Sequence, residues 1–278
     1  MYKLEEILNK DIWDDFIINS NFGFYSFLES WEWWEFQELA WKKIIRYGIY
    51  ETSSESFSLK WEKKNKLVWI FLLIKVIAKR GNYYFIPHWP LIKWDFFYIF
   101  ENILNELITL ASLEDMSFIR INSAIKNTIE NKKNFSKLKF KNAPMHEHAE
   151  DTHLLNLDIS EDELLKNIKK KDRYYINRAI KEGVKIRIDN EIDHIQTLIN
   201  MHHKHAIRDN WKKTYTPFSS IFIKNLYKVF WNNIYTISAN YKWRTESILM
   251  IIKFWKTCVY YIAASDIKHP KFSPNYLC

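Results

Sequence analysis

Helix-like and strand-like hydrophobic patterns alternate along the whole chain, and this alternation restricts the fold more than any other feature. Residues 96–112 place apolar side chains three and four positions apart, as the buried face of a helix requires. Five runs have the length and composition of strands: 44–50, 66–78, 83–86, 118–121 and 154–159. This order favours an α/β fold (α+β, with mixed sheets) over a helical bundle or a β-sandwich.

The part of the chain after residue 150 begins with a strong helix signal. Ser160 and Glu163 form a capping box, apolar residues continue on one face as far as Ile180, and Gly183 provides a left-handed stop. We therefore predict one helix between Ser160 and Gly183. The remaining predicted elements are a strand at 184–188, a helix at 192–208, and antiparallel strands at 235–239, 247–254 and 258–264.

A polar stretch separates these two parts. Residues 126–150 include Pro144 and few apolar anchors, which is typical of a domain boundary. We therefore expect two domains, 1–150 and 151–278.

The overall composition is that of a globular protein. Of the 278 residues, 47% are hydrophobic and 27% charged, which excludes disordered and fibrous classes, and two cysteines cannot form a disulfide framework. The longest uncharged apolar run, 67–74, is far shorter than the roughly 20 residues that span a bilayer. The first residues are acidic where an export signal needs a basic stretch, so we expect a cytoplasmic protein.

Glycine is scarce and tryptophan is abundant, as if one had been exchanged for the other. Average usage gives about 19 glycines in this length, but the chain has 4, and it has 13 tryptophans. We hypothesise that the source organism reads UGA as glycine and that the sequence was translated with UGA as tryptophan. The suspected positions are Trp34, Trp41, Trp89, Trp243 and Trp255. An AT-rich genome encoding a Trp-rich core is the alternative.

Nearly all of the excess positive charge lies in one segment. Between Lys166 and Arg187 there are nine basic and two acidic residues, a net charge of +7 in a chain that carries +8. The natural partner of such a field is a polyanion: tRNA, a nucleotide diphosphate, a lipid-linked pyrophosphate or an anionic membrane surface. A solvated helix face is the alternative for the lysines, whereas the guanidinium of Arg173 can also hold a phosphate through two parallel hydrogen bonds.

Common catalytic and metal-binding motifs are absent from the sequence. It contains no P-loop, GxGxxG, GxSxG or HExxH pattern, even when tryptophan is read as glycine. Two groups of histidines resemble ligand sets: His146, His148 and His153, and His202, His203 and His205. Neither has a cysteine or carboxylate at a familiar zinc spacing, so we expect neither a metal nor a cofactor.

Four segments, in order, resemble the FemABX family of aminoacyltransferases, which build the interpeptide bridges of peptidoglycan. Residues 27–37 (FLESWEWWEFQ) are similar to the family's FLQSWEWGEFQ pattern, and 86–90 (IPHWP) to its IPRGP turn. Residues 157–184 contain KKDRYYINRA and EGV, which resemble its KKxRxxIxxA helix and GV strand, and 241–265 are similar to its closing pattern. Tryptophan stands where the family has glycine at 34, 89, 243 and 255.

The resemblance implies two tandem GNAT-like acyltransferase domains, the second incomplete, in a compact member without a coiled-coil arm. The implied reaction moves an amino acid from aminoacyl-tRNA to the side-chain amine of a lipid-linked or UDP-linked peptidoglycan precursor. Peripheral contact with the inner membrane surface is compatible with it, and DNA is not a partner. Two alternatives remain open: another GNAT-type N-acyltransferase, and a tRNA-binding or membrane-binding module without activity.

The resemblance also implies substrate-binding residues, although it assigns no catalytic one. Arg173 would hold the phosphates of the precursor with the help of Lys170 or Lys171, and Tyr175 and Asn177 would position the stem peptide. His88 would line the cleft of the first domain, where the family has arginine. Gln37 stands near the place where some members have a phosphate-binding lysine.

Overall fold

In a computed structural model, the chain folds into two compact units, Met1–Asp151 and Thr152–Cys278. The structure describes residues 2–20, 26–40, 42–52, 65–79, 81–89, 97–123, 125–144, 148, 151–208 and 218–278. The hypothesis about Trp41 and the possible ligand role of His146 lie outside these ranges.

The first unit is built on a five-stranded sheet. Its strands are β1 (Tyr2–Glu6), β2 (Lys43–Glu51), β3 (Lys66–Val76), β4 (Tyr83–Pro87) and β5 (Phe118–Asn122). Its helices are α1 (Lys10–Asn19), α2 (Trp31–Leu39), α3 (Phe97–Leu113) and α4 (Ile129–Lys137), and a single 3-10 turn spans Phe27–Glu29. The strands follow the order β1-β2-β3-β4-β5 and are antiparallel except for β4 and β5, which are parallel and joined by the crossover helix α3.

Helix α3 and the sheet form the core of the first unit. The face of α3 that the sequence predicted to be apolar is buried, with Phe100, Ile103 and Leu107 fully inaccessible. Gly48 allows the side chains of Ile7, Tyr50 and Leu67 to approach β2 closely, because a Cβ there would lie 2.7 Å from the ring of Tyr50.

The second unit is built on a four-stranded antiparallel sheet in the order β6-β7-β8-β9. Its strands are β6 (Lys185–Asp189), β7 (Ile234–Tyr241), β8 (Arg244–Phe254) and β9 (Thr257–Ser265). Its helices are α5 (Glu161–Asn167), α6 (Lys170–Lys181), α7 (Ile192–Arg208) and α8 (Ser220–Phe230). Helix α7 packs on β9, and its buried residues Ile195, Leu198 and Ile199 form part of the core.

The α/β class is confirmed, with a mixed first sheet and an antiparallel second sheet. Most predicted elements lie within two residues of the observed ones. The predicted strand at 154–159 is wrong: the segment has no regular structure, and the side chains of Leu154 and Leu155 are about 70% exposed. A strand needs a neighbour for its backbone groups, and no described strand pairs with this segment.

The predicted single helix between Ser160 and Gly183 is two helices, α5 and α6. The chain is extended at Ile168 (φ −76°, ψ 145°), where α5 ends, and α6 begins two residues later. Gly183 has a φ of +85°, so the predicted left-handed stop is confirmed. Among the described ranges, no helix has the length and apolarity needed to cross a bilayer.

Candidate substrate-binding site

The corner between α5 and α6 is held by Arg173. Its Nη1 donates hydrogen bonds to the carbonyl oxygens of Leu165 (3.0 Å) and Lys166 (2.7 Å), in the last turn of α5. The carbonyl of Leu165 also accepts the backbone N–H of Ile168 (3.3 Å), whereas Arg173 is the described partner of the Lys166 carbonyl, so the guanidinium completes the end of α5 and ties it to α6. Within the described residues no acceptor bonds to Nε or Nη2, which leaves one edge of the guanidinium available for a ligand.

Four other predicted residues lie on α6. Lys170, Lys171 and Asn177 are exposed, and Lys170 and Asn177 share a helix face with Arg173 because they are three and four positions away from it. Tyr175 is half-buried, and its ring lies 4.7 Å from that of Tyr276, so it also anchors the helix. The structure therefore brings five predicted residues together on one helix of the second unit.

Part of the positive charge of α6 lies at its N-terminus, the unfavourable end, while Arg178 and Lys181 lie in its last turn. Lys169 is the N-cap and makes no side-chain capping hydrogen bond, and Lys170 and Lys171 follow it. A helix N-terminus carries a partial positive charge, so lysines there destabilise the helix while a bound anion would stabilise it. Electrostatics thus favours an anionic ligand at this end of α6.

His88, the sixth predicted residue, lies in the first unit, directly after β4. It has a φ of +54°, and its Nδ1 is 3.9 Å from Oε1 of Glu29. Burial, together with the neighbouring His148, lowers the pKa of His88 to about 4, so its imidazole is neutral at pH 7. Burial raises the pKa of Glu29 to about 8, although the backbone N–H of Ser26 opposes this effect.

Glu29 is not among the substrate-binding residues predicted from the sequence. It replaces the glutamine of the family pattern, and it closes a capping box in which its Oε2 accepts a hydrogen bond from the backbone N–H of Ser26 (3.4 Å). The sequence did offer one signal for this residue: a glutamate within a segment rich in aromatic residues.

A second cluster of polar side chains, which the sequence did not indicate, lies around the start of β8. A pocket of about 360 Å³ there is lined by residues that include Lys204, Arg244 and Asp266. Arg244 donates to Oδ2 of Asp266 (2.7 Å), and Nζ of Lys204 lies 3.5 Å from the same oxygen. Burial alone would raise the pKa of Asp266, but the hydrogen bond from Arg244 and the nearby lysines lower it. The carboxylate thus balances much of the positive charge of the pocket.

Next to this pocket, Glu246 is completely inaccessible to solvent and ties down the segment after β9. It accepts hydrogen bonds from the backbone N–H groups of Lys268 (2.6 Å) and His269 (3.2 Å), and Nδ1 of His269 lies 2.9 Å from Oε1. Burial alone would raise the pKa of Glu246, but these hydrogen bonds lower it. The arrangement is a structural clamp.

The candidate metal-binding histidines do not converge in the described part of the chain. His148 packs beside His88, and Nε2 of His202 accepts a hydrogen bond from the backbone N–H of Phe218 (3.1 Å). Among the described residues, no three His, Cys, Asp or Glu side chains are arranged to hold a metal ion.

Only one of the described suspect tryptophans itself has a left-handed backbone. Trp255, between β8 and β9, has a φ of +49°. In the other two turns the left-handed residue precedes the tryptophan: it is His88 before Trp89, and Lys242 before Trp243. Trp34 lies within α2 and is buried. The turn argument for glycine therefore applies directly at position 255.

The fold and its polar clusters can be compared with known proteins. No family model matches the sequence, and no curated protein matches it. The chain is similar to a crystal structure of FemX, with 12% identity over 99% of this chain and 83% of that one, and a TM-score of 0.77. It is also similar to a probable acetyltransferase (12% identity, 56% of this chain and 98% of that one, TM-score 0.35). A third similar structure is a conserved protein of unknown function from Bacteroides thetaiotaomicron (14% identity, 74% and 68% coverage, TM-score 0.47).

The likeness to FemX establishes the class of fold. At 12% identity and a TM-score of 0.77, the two chains share an architecture. The chain thus shares the fold of FemX, with two α/β units.

Proposed function

We propose that this protein is an acyltransferase that forms an amide, and specifically a FemABX-type aminoacyltransferase acting on a peptidoglycan precursor. The observation that carries the proposal is the likeness to FemX over 99% of the chain, which includes all four segments that resemble the family's motifs. The fold and the motifs were identified separately, and they support the same family.

In the proposed reaction, the side-chain amine of a stem peptide attacks the ester carbonyl of an aminoacyl-tRNA. A C–N bond forms, the C–O bond to the terminal ribose breaks, and the tRNA hydroxyl leaves with the proton that the amine gives up. The ester is already activated, so the protein needs to hold the two reactants together and stabilise the tetrahedral oxyanion.

The basic face of α6 suits the phosphate-bearing reactants. Lys170 and Lys171 present exposed ammonium groups, and Arg173 retains a guanidinium edge with free donors. Phosphate oxygens accept such charge-assisted hydrogen bonds, which are roughly twice as strong as neutral ones. We assign the pyrophosphate of the peptidoglycan precursor to this face.

The test is amide formation from charged tRNA and a UDP-linked stem peptide, followed by mass spectrometry. The double variant Lys170→Glu/Lys171→Glu is expected to lower kcat/KM for the precursor at least about tenfold, because it replaces attraction to phosphate by repulsion. It is also expected to stabilise the ligand-free protein by about 0.5 kcal/mol, because acidic residues suit a helix N-terminus. A loss of activity together with unchanged or increased stability cannot be attributed to unfolding.

The matched control makes the same charge change elsewhere in the second unit. Lys224 on α8 and Lys253 on β8 are exposed, and Lys224→Glu/Lys253→Glu is expected to change kcat/KM by less than about threefold. Equal losses in the two double variants would contradict a specific phosphate site on α6.

The same assay separates the alternatives. Product formed from an acyl-CoA instead of aminoacyl-tRNA would indicate another N-acyltransferase. Binding to tRNA or to anionic vesicles without any amide product would indicate a binding module. The assays should include a form of the chain with glycine at 34, 41, 89, 243 and 255.

A further inference from the structure

Glu29 and His88 are buried side chains that each have one unsatisfied polar atom. Glu29 is 7% exposed, and the side chain of His88 is 14% exposed. Within the described residues, Oε1 of Glu29 and Nδ1 of His88 have no hydrogen-bond partner. Unsatisfied buried polar atoms are rare in folded proteins because each costs about 1–3 kcal/mol, and such atoms often mark a functional site.

The separation of the two atoms indicates what fits between them. At 3.9 Å they are too far apart for a direct hydrogen bond. One donor atom can nevertheless lie about 2.9 Å from both, because 3.9 Å is less than twice that distance. A single nitrogen or oxygen placed between them would therefore lie within hydrogen-bond distance of both the carboxyl group and the imidazole.

The backbone at His88 is also strained in a way that functional sites often show. A φ of +54° costs a residue with a Cβ about 1 kcal/mol relative to a right-handed conformation. This conformation occurs where the chain leaves β4, and it is accompanied by an imidazole close to the carboxyl group of Glu29.

We propose that Glu29 and His88 form a subsite for a primary amine, which donates one hydrogen bond to Oε1 and one to Nδ1. This inference rests on the proposed function, and it assigns the site to the side-chain amine of the stem peptide. An ammonium group has three donors and no acceptor, so it matches an ionised carboxylate and a neutral imidazole nitrogen. Its positive charge also compensates the carboxylate that binding would leave buried.

Other ligands suit the site less well. A metal ion needs more ligands, and no group of three His, Cys, Asp or Glu side chains in the described residues is arranged for one. A water molecule could bridge the two groups, but it would leave the carboxyl group uncharged and would not respond to acetylation of an amine. This difference separates the two cases experimentally.

We expect the binding of an amine to be coupled to the release of a proton from Glu29. With a pKa of about 8, the carboxyl group of Glu29 is mostly protonated at pH 7 and must release a proton to solvent when it binds an ammonium group. Amine affinity should therefore rise about tenfold per pH unit below pH 8.

Among the described residues, no charged group apart from His148 acts on Glu29 or His88 from nearby. His148 is the titratable neighbour that acts on His88, and it packs against it edge to face with ring centres 5.5 Å apart. On α1 and α2, Lys10 pairs with Asp14 and Glu32. Lys10 is the one basic residue in the described ranges of α1 and α2, and its charge is thus already compensated by carboxylates.

The experiment compares Glu29→Gln with the wild type, using n-butylamine, a UDP-linked precursor with a free lysine amine, and the same precursor with that amine acetylated. Calorimetry measures affinity between pH 6 and pH 8, and the imidazole NMR signals of His88 report on amine binding. Glu29→Gln is expected to weaken binding of the free-amine precursor at least about tenfold, leave the acetylated precursor unaffected, and abolish the pH dependence. Glu35→Gln, an exposed carboxyl-to-amide change on α2, is the matched control and is expected to change nothing.

The outcomes distinguish this inference from the proposed function. If wild type and Glu29→Gln bind both precursors equally at every pH, the amine subsite is wrong while precursor binding stands. If neither precursor binds, the proposed function fails, and n-butylamine alone decides the subsite: a shift of the His88 signals in wild type but not in Glu29→Gln supports it. The absence of such a shift in wild type overturns it. Because Glu29→Gln removes no charge pair, thermal unfolding is expected to show a folded variant.

Discussion

The tryptophan side chains differ in whether their indole N–H group is satisfied. Nε1 of Trp13, a residue that fits as native, donates to the carbonyl of Glu29 (2.8 Å). Nε1 atoms of Trp34 and Trp89 are buried, and no described residue accepts a hydrogen bond from them. A buried indole usually finds such a partner. Trp34 and Trp89 are two positions where glycine was suspected, so this difference supports the glycine hypothesis.

Position 255 allows the backbone contribution to be tested separately from the ring. Trp255→Gly is expected to be more stable than Trp255→Ala by about 1 kcal/mol, because only glycine adopts a left-handed φ without steric cost. Both variants lose the same indole contacts, so the difference reports on φ alone. Chemical denaturation measures it.

Trp243 provides the control, since it is 91% exposed and is not left-handed. There Ala is expected to be at least as stable as Gly. An alanine at 255 that equals or exceeds glycine would remove the conformational argument. Peptide mass spectrometry of the native protein is expected to give the mass of glycine at position 255.

Among the secondary-structure elements, α5 and α6 depend on each other through Arg173. Arg173→Ala is expected to lower the free energy of unfolding by about 1 kcal/mol, because at a partly exposed site the carbonyl of Lys166 loses its partner and that of Leu165 loses one of two. The matched control is Arg178→Ala, which removes the same charge from the same helix. Chemical denaturation should show a smaller effect for the control.

A binding measurement separates this structural role from phosphate recognition. Arg173→Ala is also expected to weaken binding of the UDP-linked precursor by about 1.5 to 3 kcal/mol, the range for a hydrogen bond to a charged group. Unchanged affinity, measured where the variant is folded, would limit Arg173 to joining the two helices.

The clamp on β8 should make the second unit sensitive to acid. The pKa of Glu246 is lowered in the folded state, so its contribution to stability is present above the ordinary glutamate pKa, about 4.3, and is lost as the pH falls through the folded-state value. Glu246→Gln is expected to cost about 2 kcal/mol at pH 7 and to make unfolding less dependent on pH in acid.

The control for Glu246 is Glu191, whose carboxylate forms an exposed ion pair with Arg187 (3.2 Å). Such surface pairs contribute about 0–1 kcal/mol, so Glu191→Gln is expected to have little effect at any pH. Denaturation curves at several pH values compare the two variants. Parallel curves for Glu246→Gln and wild type in acid would contradict the assignment.

For the whole molecule, the sequence predicted what depends on local periodicity and missed what depends on distant partners. The stripe of apolar residues in α3 and the stop at Gly183 are local signals, and both were confirmed. The break at Ile168 was missed because it relies on a side chain from the next helix bonding to the carbonyls of the previous one. Leu154 and its neighbours have the composition of a strand, but no described strand pairs with them.

The candidate site shows the same limit. Lys170, Lys171 and Arg173 could be grouped from the sequence because they share one helix. The pairing of Glu29 with His88, and of Glu246 with His269, joins residues far apart in the chain, and no pattern within a single segment encodes it. The roles of Lys170, Lys171, Arg173, Glu29 and His88 in binding are predictions that the proposed experiments test.

The left-handed backbone at residue 255 affects how the protein can be produced. If the native residue there is glycine encoded by UGA, an expression host that uses the standard code will read that codon as a stop. The ribosome releases a chain at the first such codon that it meets. A UGA codon at position 255 alone would remove β9 from the sheet of the second unit, and one at position 34, 89 or 243 would end the chain earlier. A synthetic gene with ordinary glycine codons avoids this truncation and would yield the full-length chain for the assays described above.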